Sequence, residues 1–163
     1  MNLRLHPADG DRFTWMLGEG PALDTLTLPP GGVDEPWVLR WLKGNLAVLE
    51  GTVREGTGSW LMVADGEIVG LCSYKGPPED GVVEIGYAVA PRRRRRGYAT
   101  AAVAALIALA EQDPRITSLS AETALANLPS QRVLEANGFA PAGRGFDRDE
   151  GEMILWRRDI APA

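Results

Sequence analysis

The spacing of apolar residues changes several times along the chain, and each change marks an element. Leu3-Arg4-Leu5 alternates with the period of a strand. Residues 7–32 hold no sustained period. Phe13, Trp15, Met16 and Leu17 fit one short helix that Gly18, Gly20 and Pro21 would end, and Pro29-Pro30-Gly31-Gly32 is a loop. From Glu35 onward Trp37, Val38, Trp41, Leu42 and Leu46 recur at helical spacing, with Pro36 in the first turn. Residues 51–58 read as a flexible connection. Strands are then predicted over 60–64, 67–74 and 82–89. Asp65-Gly66 turns the first pair, the glycine- and proline-rich 76–81 turns the second, and Pro91 stops the third. Residues 97–111 form a helix that is apolar nearly all round and is therefore expected to be buried, ending at Asp113-Pro114. A strand over 116–123 precedes a helix capped by Asn127, with Pro129 in its first turn, that runs to about Asn137 and stops at Gly138. Two more strands follow, over 139–146 and 152–158. Antiparallel strands followed by strand–helix–strand predict one α/β (α+β) domain, residues 1–163, with helices covering a mixed sheet.

Composition narrows the possibilities. With 163 residues, 45% of them hydrophobic, the chain can build a core without metals or disulfides. Cys72 is the only cysteine and cannot form an internal disulfide. The first residues lack the apolar run of a signal peptide, and the longest apolar stretch, Tyr98 to Ala110, is too short to cross a bilayer. A cytoplasmic protein with no membrane partner is expected. His6, the single histidine, cannot by itself build a triad or a metal site, so no metal is expected. Cys72 and the tryptophans Trp15, Trp37, Trp41 and Trp60 read mainly as core. Acidic pairs such as Asp34-Glu35, Glu79-Asp80 and Asp149-Glu150 read as solvated loops that would favour a cationic ligand if they rimmed a cleft.

The net charge of -5 argues against a general nucleic-acid binder. The five arginines of Arg92–Arg96 therefore need a local explanation. They lie between a strand and the helix opening at Gly97. A helix N-terminus offers unpaired amides and a partial positive charge, which together suit phosphate. Gly97 permits close backbone approach, Ala99 keeps the next turn thin, and guanidinium groups add charge-assisted hydrogen bonds. The alternatives are a solvated charge run, which two or three of these arginines would join, and an RNA patch, disfavoured by the absence of interleaved aromatic residues.

Val89-Ala90-Pro91 followed by Arg94-Arg95-Arg96-Gly97-Tyr98-Ala99-Thr100 resembles the acetyl-CoA-binding motif of the GNAT N-acetyltransferases. Glu84-Ile85-Gly86-Tyr87 is similar to the preceding strand in the branch that acetylates ribosomal-protein N-termini. Asn127-x-x-Ser130 with Val133-Leu134-Glu135 and Gly138-Phe139 is similar to that branch's later helix and its exit. The resemblance holds well over residues 60–158 and poorly over residues 6–58. It implies a mostly antiparallel sheet of six to seven strands with a splayed pair and about four helices. It also implies transfer of an acetyl group from acetyl-CoA, as co-substrate, to a primary amine by direct attack through a tetrahedral intermediate. The alternative is a non-catalytic acyl-CoA-binding sensor or interaction module. A monomer or a homodimer is expected, with acetyl-CoA and an amine acceptor as partners and no nucleic acid.

Specific roles follow from the resemblance. The segment Arg94, Arg95, Arg96, Gly97, Tyr98, Ala99 and Thr100 would hold the pyrophosphate. Tyr87, Ala88 and Val89 would carry the pantetheine arm along a strand edge, and the Tyr87 amide would stabilise the oxyanion. Glu84 would be the base, directly or through a water, unless it is a sheet-face glutamate paired with an arginine. Many relatives place an acidic tyrosine where Leu134 stands here. Ser130 would then protonate the leaving thiolate, or else position CoA or a water. Asn127 would contact the pantetheine arm, cap its helix, or both. Trp37 or Trp41 would line the acceptor pocket if not part of the core.

Overall fold

The computed structural model describes residues 2–23, 25–53 and 56–161. Of the connection read over 51–58, residues 54 and 55 lie outside the described residues. The elements are β1 (Leu3–Pro7), α1 (Gly10–Met16), α2 (Pro36–Leu49), β2 (Ser59–Ala64), β3 (Glu67–Tyr74), β4 (Val82–Val89), a 3-10 turn (Pro91–Arg93), α3 (Tyr98–Glu111), β5 (Ser118–Ala124), α4 (Leu128–Ala136), β6 (Ala140–Asp147) and β7 (Gly151–Asp159). One seven-stranded sheet runs in the order β1-β2-β3-β4-β5-β7-β6. Every pairing is antiparallel except β4 with β5. This is the mixed, mostly antiparallel architecture with four helices that the resemblance implied.

The sheet carries a core on each face. On one side Trp60, Met62, Cys72, Tyr74, Val83 and Ile85 pack with Val103, Leu106 and Ile107 of α3 and with Leu134 of α4. On the other, Leu61, Ile68 and Leu71 pack with Phe13 of α1 and with Leu39 and Leu42 of α2. Strict alternation would put Ile68 and Leu71 on opposite faces. The register slips between Met62 and Val63, where Gly70 and Ile68 are the successive partners, so β3 holds one extra residue and both side chains reach the same core. Burial on this scale stabilises by roughly 1.5–3 kcal/mol per large aliphatic side chain.

Two expectations need correction. The helix α3 is not buried all round. Ala102, Val103, Leu106, Ile107 and Ala110 form its inner face, whereas Ala104, Ala108 and Leu109 are exposed. Alanine leaves a helix face nearly free of apolar bulk, so an all-apolar sequence can still have a wet side. Nor are all the tryptophans core. Trp60 is buried and Trp15 packs against the α1–α2 core, but Trp37 and Trp41 are 72% and 51% exposed. The buried stripe of α2 is Leu39, Leu42 and Leu49, and the tryptophans lie beside it.

Candidate active site

The central feature is a gap where β4 leaves β5. Their pairing runs only from Val82–Ser118 to Glu84–Ser120. Beyond Glu84 the strand β4 keeps β3 alone, from Tyr74–Ile85 to Gly70–Val89. The Lys75 amide donates to the Glu84 carbonyl and the Ala90 amide to the Val69 carbonyl, each at 2.8 Å. Bonded positions in such a ladder recur every second residue, so Glu84, Gly86, Ala88 and Ala90 face β3. The amides of Tyr87 and Val89 therefore face the gap.

Two clefts open from this gap. The first, of about 620 Å³, is walled by Tyr87–Val89, by Arg93–Arg95, by Gly97–Thr100, and by Asn127, Pro129, Ser130 and Val133 at the start of α4. Gly97 caps α3 at φ 79°, and Arg95 is also left-handed at φ 64°. For arginine that conformation costs about 1 kcal/mol, a strain found where a backbone is shaped around a ligand. The first helical bond here is from the Ala101 amide to the Gly97 carbonyl (3.1 Å), which leaves the amides of Tyr98, Ala99 and Thr100 facing the cleft end without helical partners. Arg94 and Arg95 are exposed beside them, and Arg94 Nε donates to the Val89 carbonyl at 3.3 Å. Arg96 is exposed and does not wall this cleft. Arg93 forks onto Glu67 at 2.5 and 3.1 Å, tying the turn to the β2–β3 hairpin. The cleft can thus take an elongated ligand with a polyphosphate end.

The second cleft, of about 410 Å³, lies between α2, the β3–β4 pair, β5 and the β6–β7 hairpin. Its charged wall residues are Asp34, Glu122, Asp147 and Glu150, against one cation, Lys75. Burial holds the Asp34 carboxyl above its usual range, partly offset by the Glu35 amide it accepts from. Asp147 is held below its usual range by accepting from the amides of Glu150 and Asp149, at 3.0 and 2.8 Å. Trp41 adds an aromatic wall.

Tyr87, Ala88, Asn127 and Ser130 belong to both walls. Asn127 Oδ1 accepts from the Ser130 amide at 3.3 Å and so caps α4. Tyr87 Oη lies 2.7 Å from Ser130 Oγ. Burial holds the Tyr87 phenol above its ordinary pKa. Leu134 is fully buried in the core and points at no cleft.

Glu84 sits at the end of the gap, not on the second cleft's wall. It walls a smaller neighbouring cleft of about 320 Å³ with Lys75, Glu79 and Ser120. Its Oε1 is 3.0 Å from Lys75 Nζ, and its side chain is 35% exposed. The partner is a lysine, where the sequence had suggested an arginine. Sequence reasoning overlooked Glu122, which does wall the second cleft. Its one signal was position, on the face of β5 opposite the buried Leu119, Ala121 and Thr123.

Comparison with known proteins decides the family. A family model for the acetyltransferase (GNAT) domain matches residues 7–140. The chain belongs to the GNAT acetyltransferase family. A curated relative, the uncharacterised N-acetyltransferase YjdG of Bacillus subtilis (strain 168), is 38% identical over 88 residues. That match spans about half of each protein, 52% of this chain and 52% of YjdG. Solved structures share the fold. RimL, a ribosomal-protein alpha-N-acetyltransferase solved with coenzyme A, superposes with a TM-score of 0.71 at 17% identity, covering 98% of this chain and 95% of its own. An aminoglycoside acetyltransferase in complex with coenzyme A gives 0.69 at 17% identity, covering 97% and 95%. A GNAT-family acetyltransferase from Bacillus anthracis gives 0.68 at 17% identity, covering 98% and 96%. Among the described residues no helix of this GNAT protein is long and apolar enough to cross a membrane.

Proposed function

We propose that this GNAT protein is an acetyl-CoA-dependent N-acetyltransferase that passes an acetyl group to a primary amine by direct attack through a tetrahedral intermediate. The observation that carries the reading is the gap beyond Glu84, where the free amides of Tyr87 and Val89 stand between two clefts of opposite charge.

The amides of Tyr98, Ala99 and Thr100, with Gly97 and the guanidinium groups of Arg94 and Arg95, hold the pyrophosphate. Arg96 adds charge from the solvent side. Val89, Ala88 and Asn127 guide the pantetheine arm into the gap. The Tyr87 amide donates to the oxyanion that forms as the thioester carbonyl is attacked. The carboxylates of the second cleft draw in a cationic amine. An alkylammonium has a pKa near 10.4, so a base must remove a proton before attack. Glu84, acting through a water, takes that proton. One observation favours a second candidate: Glu122 walls the acceptor cleft itself. Ser130 faces the leaving sulfur.

The test combines calorimetry with product analysis. The chain is expected to bind acetyl-CoA saturably, and Gly97→Trp to weaken that binding at least tenfold. Incubation with an amine panel is expected to give acetylated product by mass spectrometry, with release of CoA. Unchanged affinity in Gly97→Trp would overturn the phosphate-site assignment. Tight binding with no product on any amine would favour the sensor reading.

A further inference from the structure

The hydroxyls of Tyr87 and Ser130 meet where the two clefts join, on different elements and 43 residues apart in the chain. Tyr87 stands on β4 with its ring against the core, and its Oη is carried out to the first turn of α4. Ser130 is fixed there by the Asn127 cap. A lone serine hydroxyl in a cleft rotates among several orientations, and its proton is too weakly acidic to serve as a strong acid at neutral pH. A second hydroxyl at 2.7 Å removes that freedom.

Either hydroxyl can donate across this 2.7 Å contact, and the two directions differ in where they leave the serine hydrogen. Tyr87 Oη has one hydrogen and two acceptors in reach, Ser130 Oγ at 2.7 Å and the Ser130 carbonyl at 3.3 Å. The carbonyl already accepts the helical amide four residues on through one of its two lone pairs, and it is the more distant acceptor for the phenol. The nearer acceptor is the hydroxyl oxygen. In the direction where the tyrosine donates to it, the serine's own hydrogen is free to turn away from Tyr87, toward the clefts that Ser130 lines.

We propose that Tyr87 is a positioning residue whose phenol donates to Ser130 Oγ and so aims the Ser130 hydrogen at the departing sulfur of the thioester. This rests on the acetyltransferase reading above. When the intermediate collapses, the C–S bond breaks and its electron pair stays on sulfur. Ser130 donates a hydrogen bond to that thiolate, strengthened because Ser130 itself accepts from Tyr87. The thiolate takes its proton from water. Neither hydroxyl is consumed, and the phenol, held protonated by burial, stays a donor over the working pH range. The pair supplies a fixed dipole at the position where negative charge develops, in place of an acidic side chain from α4.

The experiment is a double-substitution cycle with Tyr87→Phe, Ser130→Ala and the pair together. Each protein is assayed for kcat, KM and acetyl-CoA affinity with an amine that the unmodified protein acetylates. Tyr87→Phe keeps the ring that packs in the core, so its melting temperature and acetyl-CoA affinity are expected to stay close to those of the parent. Its kcat is expected to fall about tenfold, because Ser130 then donates to the developing thiolate neither aligned nor polarised by a second hydroxyl. Ser130→Ala is expected to lose at least as much. The double variant is expected to be no slower than Ser130→Ala alone, because the two groups act as one unit. The ratio of parent to Tyr87→Phe turnover is expected to stay constant from pH 7 to pH 9.5. Multiplied losses in the double variant, or a Tyr87→Phe kcat within twofold of the parent, would overturn the proposal while leaving the acetyltransferase reading intact. If the parent makes no acetylated product on any amine, the broader reading fails and this one falls with it. Should Tyr87→Phe melt early, the cycle is repeated with Ser130→Ala and Ser130→Thr. The threonine keeps the hydroxyl and is expected to recover most of the lost turnover, and failure to recover it counts against the aimed-hydroxyl role.

Discussion

Replacing Glu84 by glutamine separates a chemical role from a structural one, because the two effects differ widely in size. The substitution removes a carboxylate and nothing else of the side-chain shape. Among the described residues, the side-chain interaction it breaks is the 3.0 Å pair with Lys75, whose two side chains are 39% and 35% exposed. Pairs that wet contribute between nothing and about 1 kcal/mol, and in a chain of this length that is about 2–4 °C of melting temperature at most. A general base is worth about a hundredfold or more. An acceptor with a pKa near 10.4 has about one molecule in a thousand free at pH 7.4, so the base has about three decades in which to act. At pH 9.5 roughly one molecule in ten is free, and most of that advantage is gone. The assay is CoA release, followed with a thiol reagent at saturating acetyl-CoA, from pH 7 to pH 9.5. The Glu84→Gln kcat is expected to fall about a hundredfold at pH 7 and less than tenfold at pH 9.5. Lys75, freed of its partner, also raises KM for a cationic amine, so kcat is the diagnostic quantity. An equal loss at both ends of the range, or a loss below threefold at pH 7, refutes the base role. Glu122→Gln, measured alongside, shows whether the carboxylate on the cleft wall carries it instead.

Gly70→Ala tests how closely β4 is held. A Cβ there would lie 2.5 Å from the Ala88 carbonyl oxygen and 2.8 Å from Met62 Sδ. Backbone must shift, at about 1–3 kcal/mol, so the melting temperature is expected to drop by about 2–12 °C and acetyl-CoA affinity to weaken as the Tyr87–Val89 edge moves; a variant with unchanged melting would show that β4 has room to spare. Tyr74 tests alkaline stability. Burial first, then the charge of Asp113, pushes its phenol from 10.0 up to about 12. The folded state therefore favours the neutral phenol. The associated stability is complete below pH 10 and is lost as pH rises from 10 through 12, roughly 2–3 kcal/mol in all. Melting curves should show that decline in the parent and less of it in Tyr74→Phe; equal declines would place the alkaline sensitivity elsewhere. Neutralising Asp147 and Glu150 together is expected to raise KM for a cationic amine several-fold at low salt and much less at 0.5 M salt, and a salt-independent change would mean shape, not charge.

How much was legible beforehand depended on how local each signal was. The turn proposed to hold phosphate was legible as a structural unit because its parts are contiguous: a strand stop, an arginine run, one left-handed glycine and a helix start. Strand ends from β2 to β7 fell within two residues of the observed ones for the same reason, since turn glycines and Pro91 mark them directly. The splay between β4 and β5 was not legible from periodicity. It is the absence of a pairing, and Ile85, Tyr87 and Val89 alternate as any paired strand would. Only the resemblance pointed to it. The core reading of Trp37 and Trp41 failed because helical spacing shows which residues share a face, not whether anything covers that face; Trp41 walls the second cleft instead. The acidic wall was hidden differently. Asp34, Glu122, Asp147 and Glu150 come from a loop, a strand and a hairpin, and each looks like an ordinary solvated carboxylate until the sheet brings them to one opening.

That gathering answers why a chain of net charge -5 concentrates arginine at one turn. The two clefts share Tyr87, Ala88, Asn127 and Ser130 and differ in sign on either side of them. A polyphosphate is attracted to the Arg94–Thr100 end and repelled by the four carboxylates, so it cannot profitably lie in the wrong cleft. An ammonium meets the reverse field. On the proposed reaction, opposed potentials across one gap would orient both substrates with their reactive ends inward, before any short-range contact forms. On the proposed reaction they also favour turnover. Acetylation converts a cationic amine into a neutral amide, and the attraction that brought the acceptor to Asp34, Glu122, Asp147 and Glu150 vanishes with its charge. The overall acidity of the chain and the basic turn are then two halves of one device, and neither alone would distinguish substrate from product.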